Sequence, residues 1–194
     1  MKNILIIGVG RAGKTTLSNM IKQKYNSYNL VHSDSIKWAI IRAQDKEDYY
    51  EENVEEQKKF EHSEFFQKTL LHFFTSSLRN DKNKFGYILE SGQLEPKYVK
   101  EMIDFNNTIV VCIGHGDLTK EDIINLCREN DTENDWTYEV ADESLEKHVD
   151  VWIGMNNLLK EECPKYEIKY IDTSKNRIET LNKILDDISR EIEK

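Results

Sequence analysis

Ile4-Leu-Ile-Ile-Gly8-Val-Gly10-Arg11-Ala12-Gly13-Lys14-Thr15-Thr16 runs from a short apolar stretch through three glycines to a lysine and two hydroxyl side chains. Residues 8–15 match G-x-x-x-x-G-K-[ST] at every fixed position. The flanks agree with the motif, since Ile4–Ile7 reads as a buried strand and Thr16–Tyr25 carries Leu17, Met20, Ile21 and Tyr25 on one helical stripe. Glycines at 8, 10 and 13 let the backbone bend until successive N–H groups point inward at one anion. The helix that follows adds its free N–H groups and dipole at the same point. Lys14 brings a mobile positive charge, and the small neutral hydroxyl of Thr15 suits a hard cation. The expected phosphate cradle is Gly8, Gly10, Arg11, Ala12, Gly13, Lys14, Thr15 and Thr16.

Working outward, four more apolar runs read as strands: Leu30–His32, Tyr87–Leu89, Thr108–Ile113 and Glu167–Ile171. Several are continuous rather than alternating, as a parallel sheet covered on both faces requires. Helical patterns separate them. Glu55–Leu78 carries Phe66, Leu70, Phe73, Phe74 and Leu78, and the last helix repeats Ile178, Leu181, Leu185, Ile188 and Ile192 in steps of three and four. The alternation predicts an α/β fold, a three-layer α/β/α sandwich around a five-stranded parallel sheet, of the P-loop nucleoside triphosphate hydrolase type. One domain over residues 1–194 is expected, with a short lid at 128–140. The last helix is expected to pack on its own sheet, although its heptad-like steps also fit a dimer seam, so a monomer or a homodimer is compatible with the sequence.

The chain has 194 residues, with 27 basic against 36 acidic side chains and a formal charge of −9. That sign argues against sequence-blind nucleic-acid binding, which relies on lysine and arginine at phosphates. It leaves room for a small anionic ligand held by a local cluster of donors. Cys112, Cys127 and Cys163 lack metal-ligand or disulfide spacing, and Cys112 falls in a core strand. No apolar run reaches the length of a membrane span and no signal peptide is apparent, so the expected setting is the cytoplasm, without membrane association.

A guanine-nucleotide switch is one competing reading. Thr119-Lys-Glu-Asp122 looks like a T-K-x-D motif, and Thr173-Ser-Lys175 like the loop after the last strand of such proteins. Gly114–Leu118 nevertheless separate the first motif from its strand, and Thr119-x-x-Asp122 reads better as a helix cap before Ile123, Ile124 and Leu126. Glu90-Ser-Gly-Gln93 stands where a switch has D-x-x-G, and the helical stretch Glu55–Leu78 takes the place of an antiparallel hairpin. A regulatory nucleotide-binding protein without transfer chemistry is the second alternative.

In layout the chain resembles the P-loop kinases of the nucleoside monophosphate kinase and shikimate kinase kind: P-loop first, acceptor helices after the second strand, lid after the fourth. Only residues 8–15 match a specific motif. The resemblance implies an ATP-dependent phosphotransferase that passes the γ-phosphate of Mg²⁺·ATP to a small-molecule acceptor. It implies catalytic roles for Lys14, Asp34 and Arg128 and metal contacts for Thr15 and Asp34. Asp34, in Val31-His-Ser-Asp34, would orient Mg²⁺ waters or accept the acceptor's proton, and the plainer alternative is that Ser33 or Asp34 caps the helix through Trp38 and Ile41. The third strand ends in Leu89-Glu90-Ser91-Gly92-Gln93, similar to the acidic-Gly turn of these kinases, but no arginine lies between Arg79 and Arg128. Lys37 or Arg42 would have to supply charge to the acceptor. The lid, with Trp136 and Tyr138, carries Arg128 alone among five acidic residues, Glu129, Asp131, Glu133, Asp135 and Glu139; a solvated loop is its alternative. Arg11 is a second candidate for contacting phosphate or lid, and Asp172–Arg177 falls where these kinases touch the base of ATP.

Overall fold

The computed structural model describes residues 2–80, 85–133 and 135–193, with the side chains of 78–80 outside that description. Leu78 of the helical stripe and Asn134 of the expected lid therefore lie outside the described residues. Five strands form one sheet: β1 (Asn3–Gly8), β2 (Tyr28–His32), β3 (Gly86–Ser91), β4 (Thr108–Gly114) and β5 (Tyr170–Asp172). Their order is β2-β3-β1-β4-β5 and every pairing is parallel.

The helices are α1 (Lys14–Lys24), α2 (Ser33–Ala43), α3 (Glu47–Glu52), α4 (Val54–Glu61), α5 (Glu64–Asn80), α6 (Pro96–Met102), α7 (Lys120–Asn130), α8 (Asp142–Lys165) and α9 (Arg177–Ile192). Helices α1 and α9 contact each other, with α1 also covering β1–β3. Helices α5, α6 and α8 form a second contiguous group over β3, β4 and β5. Ile4–Ile7 of the central strand are wholly buried, so β1 is covered on both faces and its unbroken apolar run is explained. Leu181, Ile184 and Ile188 of α9 join the same core, so the stripe on that helix packs against its own sheet.

Two sequence boundaries need correction. The fifth strand begins at Tyr170 rather than Glu167, because residues 166–168 are used in leaving α8. Glu167 takes a left-handed φ of 59° and the Ile168 N–H bonds back to the Cys163 carbonyl at 2.8 Å. The single helix expected over Glu55–Leu78 is two. At the break, Ser63 Oγ accepts the Phe66 N–H at 3.2 Å and so starts α5 afresh. Among the described residues no helix is long and apolar enough to cross a membrane.

Parallel register positions the chemistry. Glu90 of β3 lies beside Ile6 of β1 on one side and His32 of β2 on the other. The P-loop leaves β1 just beyond this row, at the carboxyl edge where open α/β sheets gather their ligands.

Candidate active site: a phosphate loop between two cavities

Gly13 caps α1 with φ 96° and no side-chain bond, so the first N–H groups of the helix stay free at the loop's centre. An L side chain there would be strained, which is why the motif requires glycine. Gly10 answers a different need. A Cβ on it would come within 2.4 Å of the Trp152 indole, which packs directly against the loop backbone.

Lys14 Nζ rests on the Val9 carbonyl at 2.8 Å. Desolvation lowers its pKa, against the opposing pull of Glu90 and Asp34, which hold positive charge at this spot. Thr15 Oγ1 donates to Glu90 Oε1 at 2.8 Å, Ser18 Oγ to Glu90 Oε2 at 3.2 Å, and His32 Nδ1 lies 3.0 Å from the same oxygen. Glu90 is therefore the carboxylate joined to the P-loop hydroxyl. Asp34, the other residue expected at the metal, makes no direct bond to Thr15 but lines the same cavity.

The alternative role of Asp34 as a helix cap is not what the structure shows. The cap of α2 is His32, with no side-chain bond to the helix. Asp34 Oδ1 instead accepts Gln93 Nε2 at 2.8 Å and pairs with Lys37 at 3.1 Å, while Ser33 donates to Gln93 Oε1 at 2.5 Å. Desolvation pushes the Asp34 pKa up. The Lys37 charge, the bonds from Lys37 and Gln93, and Lys14 outweigh it, so the carboxyl titrates below its ordinary value. Its side chain is still 64 % exposed and open to a ligand. Lys37 bridges Asp34 and Glu61, whereas Arg42 is tied to Glu47 on the surface.

The segment expected as a lid folds against the P-loop through Arg11. That guanidinium lies 2.8 Å from Asp135 and 2.9 Å from Asp131, and also donates to Thr137 Oγ1. Asp135 is held to about 2, first by the Thr132 N–H and then by Arg11. Arg128, expected to reach the phosphoryl group, is engaged within the loop here. Its N–H groups go to the carbonyls of Thr137, Tyr138 and Val140 and to Asp142, so it braces the loop from outside and faces neither cavity. Trp136 is 59 % exposed, edge-on to His148 at 4.7 Å and to Trp152 at 6.3 Å. Tyr138 lies exposed beyond them.

Two cavities flank the loop. A shallow one of about 470 Å³ lies over the start of α1, lined by Thr16, Asn19, Gln23 and Arg177, whose guanidinium donates to the Arg11 carbonyl. A larger one of about 930 Å³ runs from the loop past His32, Asp34 and Glu90 to α4 and α8. Arg11, Lys14, Thr15 and Asp135 line both. His115, beyond β4, is buried close to Gly10. Burial lowers its pKa to about 4, and among the described residues its ring nitrogens take no hydrogen-bond partner.

Thr119 and Asp122 form a complete capping box at the start of α7, which accounts for the T-K-x-D resemblance without a guanine base. The sequence pattern alone does not single out Glu90 as a site residue, although an acid closing a buried apolar strand is a usable signal. Nor does it single out Gln93 or His148; Arg11, expected to contact phosphate or lid, meets the 131–137 segment through Asp131 and Asp135.

Neither a protein-family model nor a curated protein sequence matches the chain. Solved structures do match it in shape. A gluconokinase from Sinorhizobium meliloti 1021 superposes with a TM-score of 0.60 at 12 % identity, over 97 % of this chain and 92 % of that one. A shikimate kinase from Acinetobacter baumannii in complex with shikimate gives 0.51 at 18 %, over 99 % and 93 %. A deoxyadenosine kinase from M. mycoides gives 0.51 at 16 %, over 97 % and 99 %. The sheet order, the flanking helices and these likenesses together make this chain one built on the fold of the P-loop small-molecule kinases.

Proposed function

We propose that the chain is an ATP-dependent phosphotransferase acting on a small hydroxyl compound. The observation that carries this reading is the pair of cavities meeting at Lys14 and Thr15. A protein that only senses a nucleotide needs one cavity; a transferase needs a donor and an acceptor on opposite sides of the moving phosphoryl group. The nucleoside end of ATP takes the shallow cavity beside Arg177, and the acceptor takes the larger one.

The donor set fits Mg²⁺. The Thr15 hydroxyl and the Glu90 carboxylate stand 2.8 Å apart, and a hard cation that keeps several waters uses one or two such protein oxygens together with phosphate. Among the described residues there is no cluster of three or more His, Cys, Asp or Glu able to hold a metal alone, consistent with an ion that arrives with its nucleotide. When bound, Mg²⁺ neutralises charge on the phosphates. Lys14 reaches the β- and γ-oxygens, the N–H groups of residues 10–16 cradle the β-phosphate, and Asp34 orients the acceptor hydroxyl and receives its proton as the acceptor oxygen bonds to the γ-phosphorus and the bond from that phosphorus to the β-phosphate oxygen breaks, releasing ADP. Gln93 and Lys37 keep the Asp34 carboxylate ionised and fixed. Arg11 faces both cavities and is the arginine best sited to follow the transferring group.

Lys14→Ala is the decisive variant. It should fold normally and lose transfer from ATP across a panel of hydroxyl acceptors; transfer at the wild-type rate would refute the proposal.

A further inference from the structure

The charges lining the larger cavity are unevenly matched. Its carboxylates are mostly taken: Asp34 and Glu61 share Lys37 at 3.1 and 3.0 Å, Glu90 holds Thr15, Ser18 and His32, and Asp135 holds Arg11. Glu51 lies in the field of Arg42. The acidic loop thus spends Asp131 and Asp135 on Arg11, and those two carboxylates do not repel an anion from the cavity.

The cations on the α4–α8 side are not matched in this way. Among the described residues the ion pair of Lys58 is with Glu55, an i,i+3 neighbour on the same helix whose side chain is 81 % exposed, a contact that solvent screens and that a ligand anion can displace. His148, on α8, faces the same lobe beneath the Trp136 indole. Among the described residues no acid pairs with it and its ring nitrogens have no hydrogen-bond partner. Burial, then the ammonium groups of Lys58 and Lys37, lower its pKa. Gln57, the residue before Lys58, lines the lobe with a side-chain amide that is likewise without a partner among the described residues.

We infer that Lys58, His148 and Gln57 form an anion subsite, and that the acceptor is a hydroxyl compound carrying a carboxylate or phosphate group. The inference rests on the transferase reading above for the reacting hydroxyl, and on the unmatched donors for the anion. A negative group between Lys58 and His148 offsets both the desolvation of a charged imidazole and its repulsion by the two lysines, so the ring gains a proton and becomes a second cation. Gln57 supplies a neutral N–H donor. Trp136, costly to leave exposed, covers the seated ligand.

Charged quenchers test this while the acceptor is still unidentified, because all three tryptophans of the chain, Trp38, Trp136 and Trp152, face this cavity. The intact protein is titrated with iodide, caesium and acrylamide, alongside Lys58→Gln and the double variant Lys58→Gln/His148→Gln. One unit charge a few ångströms from the indoles enriches iodide about threefold, so the iodide constant should fall by that factor in the double variant while acrylamide quenching stays level. Equal iodide constants, with unchanged acrylamide quenching, overturn the subsite. Ribose 5-phosphate and gluconate are then added against uncharged ribose and glucose. Protection from iodide by the phosphate ester alone assigns a phosphoryl acceptor, and by gluconate alone a hydroxy acid. Protection no better than that from the uncharged sugars overturns the anionic acceptor. A non-hydrolysable ATP analogue with Mg²⁺ is titrated in parallel. Iodide asymmetry without analogue binding defeats the transferase reading alone, and analogue binding without asymmetry defeats the subsite alone.

Discussion

Replacing Arg11 with methionine should detach the 131–137 loop from the P-loop, and the structure sets the size of the effect. Arg11 is 22 % exposed, and the Asp131 side chain it faces is only 3 % exposed. Removing one partner of a fully buried ion pair costs about 3–5 kcal/mol, because the other charge is left desolvated. Here Asp131 keeps the Thr137 hydroxyl, and a surface loop can turn its carboxylate toward water, so about 2 kcal/mol is the reasonable share. For a domain of this size that corresponds to a Tm lower by about 4–8 °C. A double-mutant cycle with Asp131→Asn, followed by thermal melts of the ligand-free protein, should give a coupling of the same order. The pH dependence has a definite sign. Asp135 is depressed to about 2, so its contribution is present above the ordinary carboxylate range and is lost as pH falls through that range toward 2. Arg11→Met should flatten part of that acid limb. A coupling below about 0.5 kcal/mol, the usual scatter for uncoupled sites, together with an unchanged acid limb, would refute the idea that Arg11 holds the loop.

Asp34→Asn keeps an oxygen for Gln93 and leaves Lys37 its Glu61 partner, so it should melt like wild type while turnover falls about 10²–10⁴-fold; an unchanged rate would remove Asp34 from the chemistry. Glu90→Gln retains an acceptor for the Thr15 and Ser18 hydroxyls but loses the charge. Titration of the ATP analogue at varied Mg²⁺ should then need at least about tenfold more metal, with metal-free nucleotide binding preserved. An unaltered Mg²⁺ requirement would exclude Glu90 from the metal site.

The sheet and its order of elements were legible because they rest on short-range signals: an eight-residue motif, apolar runs, and helical stripes. Errors came where one residue's backbone overrode periodicity. Glu167 in the left-handed region delayed β5, and Ser63 broke a helix whose stripe continued across it. The site was harder to read than the sheet. The motif placed Thr15 and Lys14 in the loop, whereas the nearness of Glu90 to them follows from the β1–β3 register and not from any spacing along the chain. Arg128, read as the phosphate-reaching arginine because it was the sole cation of the expected lid, gives its donors to the loop's own carbonyls and to Asp142. Arg11 and Asp135 are 124 positions apart, a pairing that no local pattern encodes.

The close approach of Trp152 to Gly10 also constrains how this protein can change over generations. Alanine at position 10 would meet the indole at 2.4 Å, so it cannot arise while Trp152 stays where it is. Loss of the indole, in turn, would open a hollow under the P-loop and remove the edge on which Trp136 rests. Neither replacement is an easy first step, and the two positions should drift as a linked pair. In descendants of this chain, a residue larger than glycine at position 10 should be found with a smaller side chain at 152, and a rearranged wall to the larger cavity should accompany both.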